Sequence, residues 1–148
     1  MSGVGDILSV IYVSIQIRHN TRAVRASAFQ QVVNSFAAIS FDIAKDRNRV
    51  DLYLHAGRDL ASLGEMERAQ YSLMLLSFLR RAENVYVQSE IRTLHTQHWS
   101  GIRESIKTIM AMPGARACWS EIKTRVNPEF RAFIDGLIAE QAAAALRA

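Results

Sequence analysis

The sequence is poor in the residues that make tight turns and cross-links. Its 148 residues include seven glycines, two prolines and one cysteine, Cys118. An all-β chain needs many turns rich in glycine and proline, so the scarcity of both argues against a β-sandwich or barrel. A lone cysteine excludes an internal disulfide and gives no support to an oxidising compartment.

In other respects the composition is that of one folded domain. Hydrophobic residues make up 49% and charged residues 22% of the chain, close to the globular average. A chain of this length buries roughly 70% of its unfolded surface, which is enough for a core without cross-links. The net charge of +4 permits an acidic partner, such as nucleic acid or an anionic lipid surface. Basic and acidic residues are mostly interspersed, so nucleic acid is not favoured as a partner.

One apolar run is present, at residues 4–17, and Asp6 is its only charged residue. From Val10 onward the residues alternate between apolar and more polar types, a pattern typical of a β-strand. No later segment offers a convincing partner strand, and an isolated strand leaves its backbone groups without hydrogen bonds. A helix satisfies its own backbone, so the run is predicted to be helical.

The same helix is predicted to extend over about residues 6–46, because apolar residues recur at intervals of three and four beyond Phe29. The expected fold class is all-α, a helical bundle with this long first helix and four or five further helices. The later helices are expected to end near Gly57 and then to cover about 62–91, 96–112, 115–125 and 128–145. Their predicted end signals are Gly57 as a C-terminal cap, a Ser62-to-Glu65 capping box, Pro113-Gly114, and Asn127 as N-cap before Pro128.

The apolar run has two interpretations. Residues 1–17 are either a membrane-associated helical segment or a helix buried in a soluble oligomer, and residues 18–148 form the bundle domain. Residues 4–17 cover roughly 21 Å as a helix, which is short of the roughly 30 Å hydrocarbon core of a bilayer. The segment is not a secretory signal, because no lysine or arginine precedes it.

Basic residues follow the run at once. Arg18, Arg22 and Arg25 are spaced by four and three residues, which places them on one side of a helix. Such side chains reach phosphate groups at a membrane surface, and their excess predicts that the following domain is cytoplasmic. We therefore expect a location at a membrane with the bundle on its cytoplasmic side, and a wholly cytoplasmic protein is the alternative.

The segment "IYVSIQIRHNTRAVRASAFQ" resembles the start of a family of small bacterial helical proteins. Their chains open with an apolar helix that ends in a Q-I-R-x-N-T-R-A motif. Looser similarities occur at "FLRRAENVYVQ", "PGARACW" and "FRAFID", so the resemblance covers nearly the whole chain. It implies an all-helical fold with an N-terminal transmembrane helix at the bacterial inner membrane, although the apolar run of this chain is shorter than that of typical members. It implies no particular activity.

One polar cluster interrupts an otherwise apolar helix. Arg80, Glu83, Asn84 and Gln88 recur at helical spacing. They are predicted to form a buried polar network that fixes the register of the bundle, with a small-ligand pocket as the alternative. A buried charged pair is costly unless it is fully hydrogen-bonded.

No catalytic, metal or cofactor site is predicted. His95 and His98 have the spacing of a ligand pair but lack an accompanying cysteine or carboxylate. Cys118 adjoins Trp119 and is expected to be a small buried hydrophobe, not a nucleophile. Aromatic residues Trp99, Trp119, Phe130 and Phe133 are expected in the core.

These features predict a non-enzymatic function. The expected protein is a small membrane-associated scaffold or subunit that presents its cytoplasmic bundle to a protein partner or to further copies of itself. The alternative is a soluble nucleic-acid-binding or regulatory protein that uses its basic surface.

Overall fold

The computed structural model describes residues 3–91 and 96–147, and this part of the chain forms six α-helices and no strand. The helices are α1 (Gly3–Ala44), α2 (Arg47–Arg58), α3 (Glu65–Glu90), α4 (Thr96–Met110), α5 (Pro113–Ile122) and α6 (Pro128–Ala145), with 3₁₀ turns at Leu60–Ser62 and Lys123–Arg125. The prediction of an all-α bundle with a long first helix is confirmed.

Helix α1 has two parts with different surroundings. All side chains from residue 5 to residue 27 are exposed, whereas from Ala28 onward one face is partly buried. The buried face includes Phe29, Val32 and Phe36 and packs on α3. Residues 5–27 therefore form roughly 35 Å of helix, at about 1.5 Å per residue, that no other described element covers.

Helix α3 lies at the centre of the bundle, as its apolar sequence predicts. It packs against α1, α2, α4 and α5, and Leu79 and Ala82 are completely buried. The other helices supply large buried side chains around it, including Ile106, Trp119 and Phe130. Helices α2 to α6 thus share one core, and α1 adds only its C-terminal part, from Ala28 onward.

The predicted aromatic residues are in this core. Trp119 is 2% exposed and Phe130 is fully buried, while Trp99 and Phe133 pack against the core from its edge. Tyr86 joins them, with ring centroids 5.4 Å from Trp99 and from Phe133. These contacts attach α3 to α4 and α6.

Two predicted helix ends differ from the structure. The N-cap of α3 is Gly64, not Ser62, and the Glu67 carboxylate accepts a hydrogen bond from the Gly64 N–H at 3.1 Å. The Ser62 hydroxyl instead donates to the Asp59 carbonyl within the preceding 3₁₀ turn, and this turn delays the helix start. The Asn127 cap is confirmed, since its side chain accepts from the Glu129 N–H at 2.7 Å.

Gly57 does not cap α2, because the helix continues to Arg58 and Gly57 is buried inside it. Its role is contact with α5, where a Cβ atom at Gly57 would lie 2.7 Å from the Met112 sulfur. Gly114 approaches still more closely, since its Cβ would lie 1.7 Å from the Ala56 carbonyl oxygen. Pro113 opens α5, and the two glycines let α2 and α5 cross with their backbones in contact.

Candidate functional site

The apolar segment, defined here as residues 5–17, is uncovered along its whole length. Every large apolar side chain in it is between 50% and 65% exposed. These side chains are Ile7, Leu8, Val10, Ile11, Tyr12, Val13, Ile15 and Ile17. Soluble monomers rarely expose a continuous apolar surface of this kind, and such surfaces mark contact with lipid or with another chain.

The apolar side chains of the segment lie around its full circumference. Positions 7, 10 and 13 fall on different sides from positions 8, 12 and 15 at about 100° per residue. A helix that lies flat on a membrane surface has one apolar and one charged face. The apolar segment has no such division, because Asp6 is its only charged residue.

Its polar side chains form hydrogen bonds within the helix. The Ser9 hydroxyl donates to the Gly5 carbonyl and the Ser14 hydroxyl to the Val10 carbonyl, both at 2.8 Å. The Gln16 side-chain amide donates to the Tyr12 hydroxyl at 2.9 Å. Internal bonds of this type lower the cost of moving a polar side chain into an apolar environment.

The three predicted basic residues lie immediately beyond this segment. Arg18, Arg22 and Arg25 are exposed, and among the described residues none of them forms an ion pair. Their intervals of four and three place them on one side of α1. The structure therefore joins an uncovered apolar helix to a row of uncompensated positive charges.

A transmembrane helix is not found in the described part of the chain, where no helix carries a long enough apolar stretch. The expectation of one, drawn from the family resemblance, is therefore corrected for residues 3–91 and 96–147. The apolar stretch is too short because the charged residue Arg18 follows Ile17 directly and ends it.

Glu83 is the buried member of the predicted polar network, at 9% exposure. One carboxylate oxygen accepts from the Arg80 guanidinium at 2.8 Å, and the other accepts from the backbone N–H of Asn127. The carboxylate thus lies at the N-terminus of α6, where the helix dipole favours negative charge. The sequence pattern did not identify Asn127 as a member of this cluster.

The rest of the network is not buried as predicted. The Arg80 side chain is 57% exposed and Asn84 is exposed, while Gln88 is partly buried. Gln88 donates its amide to the Asn84 side chain and this pair is separate from the Arg80–Glu83 ion pair. Arg80 and Asn84 are four residues apart and point outward together, so the shared face that predicted a network is mainly a solvent-facing one.

The remaining candidate chemistry receives no structural support. Among the described residues no cluster of three or more potential metal ligands occurs; His95 and the side chain of His98 lie outside what the structure describes. Cys118 is fully buried, and burial raises the pKa of its thiol against the opposing effect of the Ser72 hydrogen bond. A neutral buried thiol is a poor nucleophile.

No family model, curated protein or solved structure matches this chain. The resemblance to small bacterial helical proteins stays a prediction. Function must accordingly be inferred from the exposed apolar segment, its basic flank and the bundle.

Proposed function

We propose that the chain is a non-enzymatic, membrane-associated helical scaffold that presents its bundle to protein partners at the cytoplasmic face of the bacterial inner membrane. The observation that carries this proposal is the uncovered apolar segment, residues 5–17, followed directly by Arg18, Arg22 and Arg25. The segment supplies apolar attachment and the arginines supply attraction to anionic headgroups.

Insertion of the apolar segment explains why its side chains are apolar on every side. Its serine and glutamine side chains are already hydrogen-bonded within the helix, so few polar groups would lose partners in lipid. Asp6 opposes insertion, because a charged residue in the membrane centre costs roughly 3 kcal/mol. We infer that Asp6 limits the depth of the segment.

The basic flank gives this attachment a direction. Arg18, Arg22 and Arg25 would remain at the headgroups and hold the bundle on the side of the membrane where positive residues accumulate. The bundle would then face the cytoplasm. Its exposed surface, carried on α2 to α6, is the part available to a protein partner.

The ion pairs of the bundle argue against nucleic-acid binding. Eight basic side chains of the bundle lie in ion pairs with acidic residues, which reduces the positive field that a phosphate backbone would meet. They are Lys45, Arg47, Arg49, Arg68, Arg80, Arg103, Lys107 and Lys123. The uncompensated arginines beside the apolar segment fit a lipid surface better.

Flotation with lipid vesicles tests the proposal. The full chain is mixed with vesicles of phosphatidylglycerol and phosphatidylcholine and compared with the double variant Ile11→Asp, Ile15→Asp. Each aspartate in the inserted segment costs roughly 3 kcal/mol, so this variant should stay unbound. The matched control is Leu54→Asp, Met66→Asp, which adds the same charge at exposed apolar positions of the bundle and should float as the parent does.

Asp6→Asn provides an opposite test, since removal of this charge should strengthen vesicle binding. If the same segment is instead buried between the subunits of a soluble oligomer, a different pattern is expected. The parent would then sediment as a multimer without lipid and fail to float, and the Ile11→Asp, Ile15→Asp variant would become monomeric. Failure of the parent to float would refute membrane association, and equal flotation of the parent and the Ile11→Asp, Ile15→Asp variant would refute attachment through residues 5–17.

A further inference from the structure

A cleft with a volume of about 500 Å³ lies between α1, α2 and α3. This volume falls within the range of small-molecule sites. Its apolar wall includes Ile39, Ile43 and Met74, which are partly buried, and Leu73, which is 60% exposed. An alkyl chain placed in the cleft would therefore remove from water an apolar surface that the bundle leaves open.

Three charged side chains line the same cleft, and two of them neutralise each other. Asp42 forms an ion pair with Arg49, which also lines the cleft, and a second ion pair with Lys45 at 2.6 Å. Arg49 is also paired with Asp46 at 3.6 Å. These two carboxylates and two cations balance one another, so the charge that remains in the cleft is the positive charge of Arg81.

Arg81 has no acidic partner among the described residues. Its guanidinium donates one hydrogen bond to the Ser77 carbonyl at 3.0 Å, and Ser77 also lines the cleft, so this contact holds the guanidinium beside the cleft wall. A guanidinium carries five N–H donors in a planar fork, which leaves several for a ligand. The preceding residue, Arg80, differs in that it is already paired with Glu83.

The cleft is elongated along α3, where its wall runs from Gln70 to Arg81. These two residues are separated by roughly 16 Å, at about 1.5 Å per residue. Leu73 and Met74 lie between them. The cleft thus places an apolar wall beside one uncompensated cation at its end.

We propose that this cleft binds a single-chain amphiphile with a carboxylate head, such as a medium-chain fatty acid. The carboxylate would pair with Arg81 through two parallel hydrogen bonds, a geometry that the guanidinium fork favours. The alkyl chain would lie against Leu73 and Met74 and extend toward Gln70. One negative charge on the ligand balances the one unpaired charge of the cleft, and this inference does not depend on membrane attachment.

Other head groups fit the cleft less well. A cationic head would be repelled by the unbalanced charge of Arg81. An alcohol would accept a weaker hydrogen bond, because bonds to an ionised acceptor are about twice as strong as those between neutral groups. The affinity is therefore expected to decrease from carboxylate to alcohol to quaternary ammonium for ligands with the same alkyl chain.

Displacement of the uncharged fluorescent probe N-phenyl-1-naphthylamine from the full chain tests this order. The competitors are decanoate, decanol and decyltrimethylammonium, which share one alkyl chain and differ in the head group. Decanoate should displace the probe at the lowest concentration. Arg81→Gln should weaken decanoate by roughly tenfold, the worth of one hydrogen bond to a charged group, and should leave decanol almost unchanged.

Arg80→Gln is the matched control for this substitution. It removes the same charge from the neighbouring residue of α3, but Arg80 does not line the cleft and is paired with Glu83. The decanoate affinity of this variant should stay close to that of the parent. An equal loss in both variants would show that net charge, and not contact with Arg81, attracts the carboxylate, and would overturn the proposal.

A second pair of variants locates the alkyl chain. Ala38→Trp places a large side chain at an exposed position of the cleft and should abolish displacement by decanoate. Ala37→Trp is its control, since Ala37 is also exposed but lines a neighbouring cavity between α1, α3 and α4. Circular dichroism checks that each variant is folded, and Arg81→Gln keeps the proposal testable if a tryptophan variant is not.

Four further results would overturn the proposal. Equal decanoate affinity in the parent and Arg81→Gln would remove the ion pair, and decanol or decyltrimethylammonium binding as tightly as decanoate would remove the ligand class. Displacement that Ala37→Trp abolishes and Ala38→Trp leaves intact would place the ligand in the neighbouring cavity. Loss of decanoate binding in the Ile11→Asp, Ile15→Asp variant would place it on residues 5–17. By contrast, a parent chain that binds decanoate but fails to float with vesicles would refute membrane association alone and still support this site.

Discussion

The Glu83 carboxylate accepts a hydrogen bond from the backbone N–H of Asn127, which lies 44 residues further along the chain. Asn127 is itself the N-cap of α6 and accepts from Glu129 with its side chain. The N–H of an N-cap residue is often satisfied by a glutamate three positions later in the same helix. Here an acidic residue of α3 does so, and the contact couples α3 to the start of α6.

Replacement of Glu83 by alanine is expected to destabilise the bundle by about 2 kcal/mol, because the Asn127 N–H loses its acceptor in a partly buried place. Glu83→Gln should cost less, since an amide oxygen can still accept that hydrogen bond. Arg80→Ala should cost under about 1 kcal/mol, because the Arg80 side chain is 57% exposed and exposed ion pairs are weak. Urea denaturation measures all three.

The order of these effects is the discriminating result. If Arg80→Ala proves as costly as Glu83→Ala, the ion pair and not the Asn127 contact holds the site together. Equal midpoints for the parent and Glu83→Ala would show that α6 does not depend on this acceptor.

Gly114→Ala is expected to be among the most damaging single-methyl additions. The new Cβ would lie 1.7 Å from the Ala56 carbonyl oxygen, and a backbone atom cannot move aside without separating α2 from α5. The expected loss is about 3 kcal/mol, at the upper end of overpacking costs. Thermal unfolding monitored by circular dichroism would detect it as a clear fall in midpoint.

Gly136→Ala is the matched control for this prediction. Gly136 lies within α6, and a Cβ there would meet no described atom within 4 Å. Alanine favours a helix interior over glycine by up to about 1 kcal/mol, so this variant should be more stable than the parent. A similar midpoint for Gly114→Ala and Gly136→Ala would contradict the close crossing of α2 and α5.

Cys118 should give the stability an alkaline dependence. Burial raises the pKa of its thiol in the folded chain, whereas the thiol of the unfolded chain keeps a pKa of about 8.5. Above that pH the unfolded chain holds fewer protons than the folded one, so the free energy of unfolding falls as pH rises. Below it the thiol is protonated in both states and contributes no slope.

Comparison with Cys118→Ala isolates this effect. The difference in unfolding free energy between parent and variant should be constant from pH 6 to 7.5. Above that range, the unfolding free energy of the parent should fall relative to that of the variant by up to about 1.4 kcal/mol for each pH unit. Urea titrations at several pH values measure this, and parallel curves for the two chains up to pH 10 would mean that the thiol ionises equally in both states.

Local sequence signals predicted the elements of this fold but not their contacts. The Asn127-Pro128 cap is decided by neighbouring residues, and α6 begins where that signal places it. The start of α3 was misplaced by two residues, because the 3₁₀ turn before it holds Ser62 against Asp59. Such a turn depends on how Leu60 is buried in the core, which spacing does not reveal.

The candidate sites show the same limit. Helical spacing places Arg80, Glu83 and Asn84 near one another but does not determine which of them meets another helix. Only the approach of α6 buries Glu83 and leaves its two neighbours in solvent. An apolar cavity between α1, α2, α3 and α4 has walls from all four helices, so no single stretch of sequence carries its signal.

The row of arginines after the apolar segment gives the last prediction. Replacement of Arg18, Arg22 and Arg25 by glutamine should weaken binding to anionic vesicles by roughly 100-fold, because each basic residue near such a surface contributes about 1 kcal/mol. Binding to neutral vesicles should barely change. Raised salt should have the same effect on the parent, since it screens these charges.

The matched control removes three arginines from the bundle instead. Arg58, Arg125 and Arg147 are exposed, and their replacement by glutamine changes the net charge by the same amount. Attraction that depends on net charge alone would be weakened equally by both triple variants. Attraction that depends on position, directly beside the inserted segment and within about one Debye length of the headgroups, would be lost only in the first. Equal binding of both triple variants to anionic vesicles at low salt would therefore contradict a specific role for Arg18, Arg22 and Arg25 at the membrane surface.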